Sequence, residues 1–499
     1  MKSVKSSDMI LNCRDFGVYA PFFVCHEGSN TVMSENVHRQ FLGLLGWEGE
    51  ELEAFLPQWK KAAKFLCLSE KDVAYAVNEY LPAYWNLSLK GIRMMAAACI
   101  KEIVELSKTA QYTEAGDSVM YINIPSAPVC IYANKLAGKG RLHVSYPGYM
   151  MVMIRGAFFN KGAGCYGNAV NGHCAHCKMN SIRANAIADG KLPPPTITWN
   201  WGIKCDEAPK TDELIACLGG ARWKNTFITL PHDTPLGDVE ADDRKRIDFL
   251  AEKLRMAQRD VSDATGIEVT EEHLQKALEE YMHYMELVEQ LSDLVMNADP
   301  QPVTVNEMTL FGICVDMCFD IGYSYLNQVL EIFIDEVRER VAQGIGALPQ
   351  NAPKMFCQFN SLYAPWIDKA FRENGVCLTQ GRMFPLAHIF REYLNEKDVY
   401  TTVARMSLAT PSSMNMMDEA RIYADLLNRY HADGALYGFY AFDKWVGAVQ
   451  KTMVRLIEAK TGVPHFYLEG DLWDSDKKSE EDRMTIIRSI CNCLKISKI

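Results

Sequence analysis

The chain has 499 residues, 48% hydrophobic and 23% charged, a composition ordinary for a globular protein with ample core, so collagen-like, fibrous and disordered classes fall away. At about 100–200 residues per domain, the length predicts two to four compact units. A net charge of −11 argues against a non-specific hold on nucleic acid, and no apolar run reaches the roughly 18–20 residues that a membrane span requires.

Residues 1–13 hold two lysines but no apolar stretch of signal-peptide length, so a cytoplasmic location is expected. The 16 cysteines are then read as free thiols rather than a disulfide framework. From about 37 to 108 the pattern is helical: Phe55, Trp59, Ala62, Phe65 and Leu66 share one face, and Ser69 with Asp72 reads as a capping box. Beyond Ser118 short apolar runs at 119–124, 142–146, 196–201 and 227–230 read as strands. A helical block over about 243–296 follows, with Thr270 as an N-cap and Leu274, Ala277, Leu278, Tyr281 and Met285 on one stripe. A further helix at about 324–343 leads into the Gly- and Pro-bearing loop 344–353. Candidate strands at 355–359, 376–379, 434–440 and 465–468 then alternate with helical segments.

That alternation predicts an α/β protein with two flavodoxin-like parallel-sheet domains, 111–240 and 346–499. A helical N-terminal region, 1–110, precedes them and a helical linker block, 241–345, joins them. Ligands of such sheets sit at the carboxyl ends of strands, which points to the loops after Leu230, Phe359, Tyr440 and Leu468.

The sequence has no P-loop, dinucleotide fingerprint, zinc-protease helix or nucleophile elbow. Its densest cluster is Cys165, His173, Cys174, His176 and Cys177. Cys174 and Cys177 form a CxxC that can grip one metal, yet this is half of a zinc site. The residues alone leave open structural zinc, a redox pair, packed thiols or part of an iron–sulfur cluster. Cys205 follows a predicted strand, and Glu469, Asp471, Asp474 and Asp476 form an acidic run that is either a solvated loop or a metal or substrate site.

The segment Thr-Gly-Ile-Glu-Val-Thr-Glu-Glu-His-Leu at 265–274 and the ending Gly-Val-Pro-His-Phe-Tyr-Leu-Glu-Gly-Asp at 462–471, with Ser479 and Arg483 beyond it, carry a resemblance. From about Val119 onward the chain resembles the 2-hydroxyacyl-CoA dehydratase and benzoyl-CoA reductase superfamily, in particular a D-component-like subunit. The resemblance implies a [4Fe–4S] cluster held by cysteines from three separated places. Cys177 matches the first and Cys205 the second, while the third falls at Asp443, a departure. Asp443 then either ligates iron, or orients a water, Ser361 or Cys357 that completes the site, or is a loop residue paired with Lys444.

By the same resemblance Ser126 lies near the substrate thioester, as a catalytic-site residue, although a turn-capping Ser reads equally well. The implied chemistry is elimination of water from a 2-hydroxyacyl-CoA through a ketyl radical anion, or the related ATP-dependent aryl-CoA reduction. Implied partners are a paralogous second subunit, a separate ATP-hydrolysing iron–sulfur activator and an acyl-CoA substrate. Two other readings stand beside it: a cluster-less scaffold or partner subunit, and a zinc-stabilised binding protein using the His173 to Cys177 cluster. Cys177 and Cys205 are expected to face one cavity between the α/β units, with Cys13, Cys67, Cys99 and Cys217 structural.

Overall fold

The computed structural model describes residues 31–123, 127–162, 164–167, 177–202, 207–220, 223–229, 243–358, 364–380, 385–411, 416–438, 444–468 and 480–496. From residue 31 to about 115 the chain is helical, as its periodicity predicts. Trp59, in helix Gly49–Phe65, is buried against the rings of Phe41 and Phe159, with centroids 4.8 and 5.9 Å away, and those two rings also touch, at 5.2 Å. That stack docks the N-terminal helices on helix Pro147–Phe159. The expected capping box is present: the Asp72 N–H donates to Ser69 Oγ at 3.3 Å and the Ser69 N–H to Asp72 Oδ2 at 2.9 Å.

Two four-stranded parallel sheets follow. Strands β1 (Ser118–Ile122), β2 (Leu142–Ser145), β3 (Ile197–Trp201) and β4 (Asn225–Ile228) lie in the order β2-β1-β3-β4. Strands β5 (Lys354–Cys357), β6 (Cys377–Thr379), β7 (Gly434–Tyr437) and β8 (His465–Tyr467) repeat that order as β6-β5-β7-β8. In each sheet the chain steps outward from its first strand and then crosses to that strand's other side. The crossing leaves a topological switch point between β1 and β3 and another between β5 and β7, where sheets of this kind place ligands. Strands β2, β3, β6 and β7 are buried throughout, as strands covered on both faces must be.

The strands depart from their predicted bounds by one to three residues, and the two largest departures have local reasons. β4 starts at Asn225, two residues early, because Asn225 and Thr226 pair with Thr198 and Trp199 in the ladder, and Phe227 is left 47% exposed on this edge strand. β7 stops at Tyr437, three residues short, because Gly438 turns to φ +118°.

The helical block between the sheets touches both. Helix Glu271–Asn297 begins at Thr270, whose hydroxyl and the His273 side chain close a capping box, and it buries Leu274, Ala277, Leu278 and Met285. It packs on helices Pro128–Gly138, Tyr323–Ala342 and Val399–Leu408. Helix Arg244–Thr265 packs on β4 and on helix Val399–Leu408, with ion pairs Arg244–Glu396 at 2.8 Å and Arg255–Asp398 at 2.7 Å along the seam. Among the described residues no helix is long and apolar enough to cross a membrane.

Helix Pro147–Phe159 lies so close to helix Lys178–Ala188 that a Cβ on Gly148 would stand 2.5 Å from the Met179 carbonyl oxygen. The glycine lets the first turn of the second helix, and Cys177 just before it, seat against the first sheet's helical cover.

Candidate functional site

Of the residues singled out for the site in the sequence, Cys177 is described, as are the half-buried Cys165 and the buried Cys357. Ser126, Cys205 and Asp443 lie outside the described residues, as do His173, Cys174, His176, Ser361 and the acidic run from Glu469 to Asp476. Their described flanks are informative. Asn123 follows β1, Gly202 follows β3, Glu207 opens helix Glu207–Gly219, Gly438 follows β7, and Lys444 opens helix Lys444–Thr461. These flanks stand at the two switch points.

Cys177 is half-buried and is the N-cap of helix Lys178–Ala188. Its carbonyl accepts the first helical bonds, from the N–H groups of Asn180 and Ser181 at 3.0 Å. Its own N–H donates to Glu207 Oε2 at 2.7 Å, so the chain two residues beyond Cys205 touches Cys177. Asn180 Nδ2 donates to the Cys177 sulfur at 3.2 Å. The N-cap position and the Asn180 amide together fix where this sulfur points.

From Asn180 a buried polar chain continues inward. Arg183 Nε donates to Asn180 Oδ1 at 3.0 Å and Nη2 to the Ala208 carbonyl at 3.1 Å, while Nη1 pairs with Asp212 Oδ1. Asn123 Nδ2 donates to the other Asp212 oxygen and to Asn200 Oδ1, the latter at 2.6 Å, and Asn123 Oδ1 accepts from the Trp201 N–H at 3.1 Å. Burial pushes the Asp212 carboxyl up, with the Arg183 guanidinium and the Asn123 amide pulling it back. Polar groups buried together are costly unless satisfied. Here they tie the Cys177 sulfur to the ends of β1 and β3. Asn200 Nδ2 and Trp201 Nε1 have no partner among the described residues, which leaves two donors at this strand end.

The second sheet ends in a similar way. Gln358, after β5, accepts from Gln450 Nε2 at 2.6 Å and donates to the Tyr423 hydroxyl at 3.2 Å. Gln380, after β6, is buried at φ +74°, a strained backbone for a residue with a side chain. Gly438, at φ +118°, lies against Leu468: a Cβ there would be 2.8 Å from the Leu468 carbonyl oxygen. Gly438→Val is expected to cost about 3 kcal/mol, from strain plus the displaced backbone. A thermal midpoint equal to that of the unsubstituted chain would show that the strand end accepts a side chain.

Three cysteines escaped the sequence reading as a group. Cys99, expected to be structural, is fully buried, but its Sγ lies 3.5 Å from that of Cys314, and with Cys318 all three sulfurs are within 4.8 Å of one another. The i, i+4 spacing of Cys314 and Cys318 was the available signal, whereas Cys99, 215 positions earlier, has no sequence link to them. Cys67, also expected to be structural, is exposed, and hydrogen bonding with Cys165 brings its thiol down to about 7. A groove beside helix Glu271–Asn297 is lined by Glu271, Glu279, Glu286, Glu396 and Asp398.

The family model of the 2-hydroxyglutaryl-CoA dehydratase D-component matches residues 175–486, a span that takes in Cys177, Cys205 and Asp443. No curated protein matches the chain significantly.

Proposed function

The chain belongs to the 2-hydroxyglutaryl-CoA dehydratase D-component family, and from that premise we propose that it is the iron–sulfur subunit of a heteromeric 2-hydroxyacyl-CoA dehydratase or related aryl-CoA reductase. Cys177, Cys205 and Asp443 would hold a [4Fe–4S] cluster. The observation that carries this reading is the setting of Cys177: a half-buried thiol at a helix N-terminus, with the Asn180 amide on its sulfur, beside the switch point of a parallel sheet. Cysteine sulfur is the donor that iron–sulfur clusters take. Asp443 is a harder donor, which binds iron more weakly and gives it less electron density.

When bound, the cluster supplies a single electron and, at an open iron, a Lewis acid. The chain's own residues bind and orient. Asn180 fixes the direction of the Cys177 sulfur, and Arg183 fixes Asn180, as outer partners of metal ligands do. Ser126 would hydrogen-bond the acyl-CoA thioester from the segment after β1, whose root is pinned by the buried Asn123 amide. A paralogous second subunit and a separate ATP-hydrolysing activator complete the system, in keeping with a sequence that has no P-loop.

A second reading rests on Asp443 itself: with no third cysteine, the chain is a cluster-less scaffold or partner subunit. Asp443→Ala and Asp443→Cys separate the two. A ligand role requires that the Ala variant, purified anaerobically, lose more than about half of its iron and that the Cys variant keep or raise it, given about four irons in a full cluster. Equal iron in all three proteins removes Asp443 from the ligand set.

A further inference from the structure

Cys99 lies mid-way along helix Lys90–Ser107, Cys314 closes helix Val305–Cys314, and Cys318 sits one turn later, its N–H bonded to the Cys314 carbonyl at 3.0 Å. All three are fully buried. Cys99 and Cys314 belong to helices that pack against one another, and Cys318 to the turn after the second, not to the strand ends where Cys177 stands. A free cysteine often buries as a small apolar residue, but three whose sulfurs converge are a different arrangement.

From this convergence we infer a second metal site: Cys99, Cys314 and Cys318 hold one thiophilic d10 ion, zinc(II) or copper(I), as a structural centre of the helical core. Zn–S bonds of about 2.3 Å place the sulfurs of a tetrahedral site about 3.8 Å apart, and those of a trigonal site about 4.0 Å. The sulfurs here span 3.5 Å for Cys99–Cys314 and no more than 4.8 Å for any pair, so a single ion fits between them with small rotamer shifts. A disulfide does not account for the group, since it joins two sulfurs at about 2.05 Å and strands the third. Soft thiolates select zinc and copper(I) over harder ions. The ion would join Cys99 to residues more than 200 positions later, cross-linking the N-terminal helices to the last helices of the linker block. Glu102, one turn beyond Cys99 and buried, accepts the Ile321 N–H at 2.6 Å through Oε1 and so holds the turn after Cys318 against the same helix.

The test is metal analysis of the full chain, expressed separately in zinc-supplemented and copper-supplemented medium and purified anaerobically. About one zinc or copper per chain is expected in the unsubstituted protein and in Cys177→Ala, with less than about one fifth of that in Cys314→Ala and Cys318→Ala; X-ray absorption on the unsubstituted protein should then show about three sulfurs near 2.3 Å. The second measurement stands if the variants fail to fold. The medium that loads the site decides between zinc and copper. No zinc or copper in the unsubstituted chain from either medium overturns the inference. So does metal that persists in Cys314→Ala and Cys318→Ala, or that is lost in Cys177→Ala. Iron is counted separately, so the result does not depend on the cluster assigned to Cys177.

Discussion

Arg183→Met is expected to destabilise the chain by about 3–5 kcal/mol, the cost of a buried carboxylate that loses its partner. Arg183 is 4% exposed and Asp212 is 0% exposed, and the guanidinium also holds Asn180 and the Ala208 carbonyl. With Arg183 gone, burial acts on Asp212 opposed only by the single Asn123 amide. The double variant Arg183→Met/Asp212→Leu should recover a large part of the loss, because an apolar pair replaces the stranded carboxylate. The shift in denaturation midpoint of both variants checks this. A single variant within about 1 kcal/mol of the parent would mean that Asp212 is not held by this pair.

Cys177→Ala is expected to have the largest functional effect. If Cys177 is a cluster ligand, the variant should fall from about four irons per chain to fewer than one and lose activity to background. The substitution removes a half-buried thiol that caps a helix with its backbone and not its side chain, so the fold should survive. Asn180→Leu makes the companion case: it removes the donor on the sulfur and the acceptor of Arg183, and a positioning role predicts a 10–100-fold loss of metal affinity, as for outer partners generally (about that range). A shifted reduction potential with the same iron content would equally report that the amide tunes the sulfur, whereas no change in affinity or potential would leave Asn180 as packing alone.

The architecture was legible because it is written in periodicity. The stripe from Leu274 to Met285 and the strand at Ile197–Trp201 are long or apolar enough to show their pattern without any tertiary context. Strand ends were less legible: nothing in the residues after Tyr437 announces that Gly438 leaves the ladder, since that depends on the close approach of Leu468. The site was legible only in part. A resemblance drew attention to Cys177, but its support comes from Asn123, Asn180, Arg183, Asn200 and Asp212, which in sequence look like ordinary surface residues. Their burial follows from two strand ends and two helices meeting, a property of topology rather than of any local pattern. Cys99 was hidden for the same reason.

The proposed function rests on an iron–sulfur cluster held through Cys177. The most direct measurement is iron and acid-labile sulfide analysis of the anaerobically purified chain, with an electron paramagnetic resonance spectrum of the reduced protein. About four irons and four sulfides per chain are expected, with a cluster signal that vanishes in Cys177→Ala. A protein with no iron, or with iron and a signal that Cys177→Ala leaves intact, would contradict it.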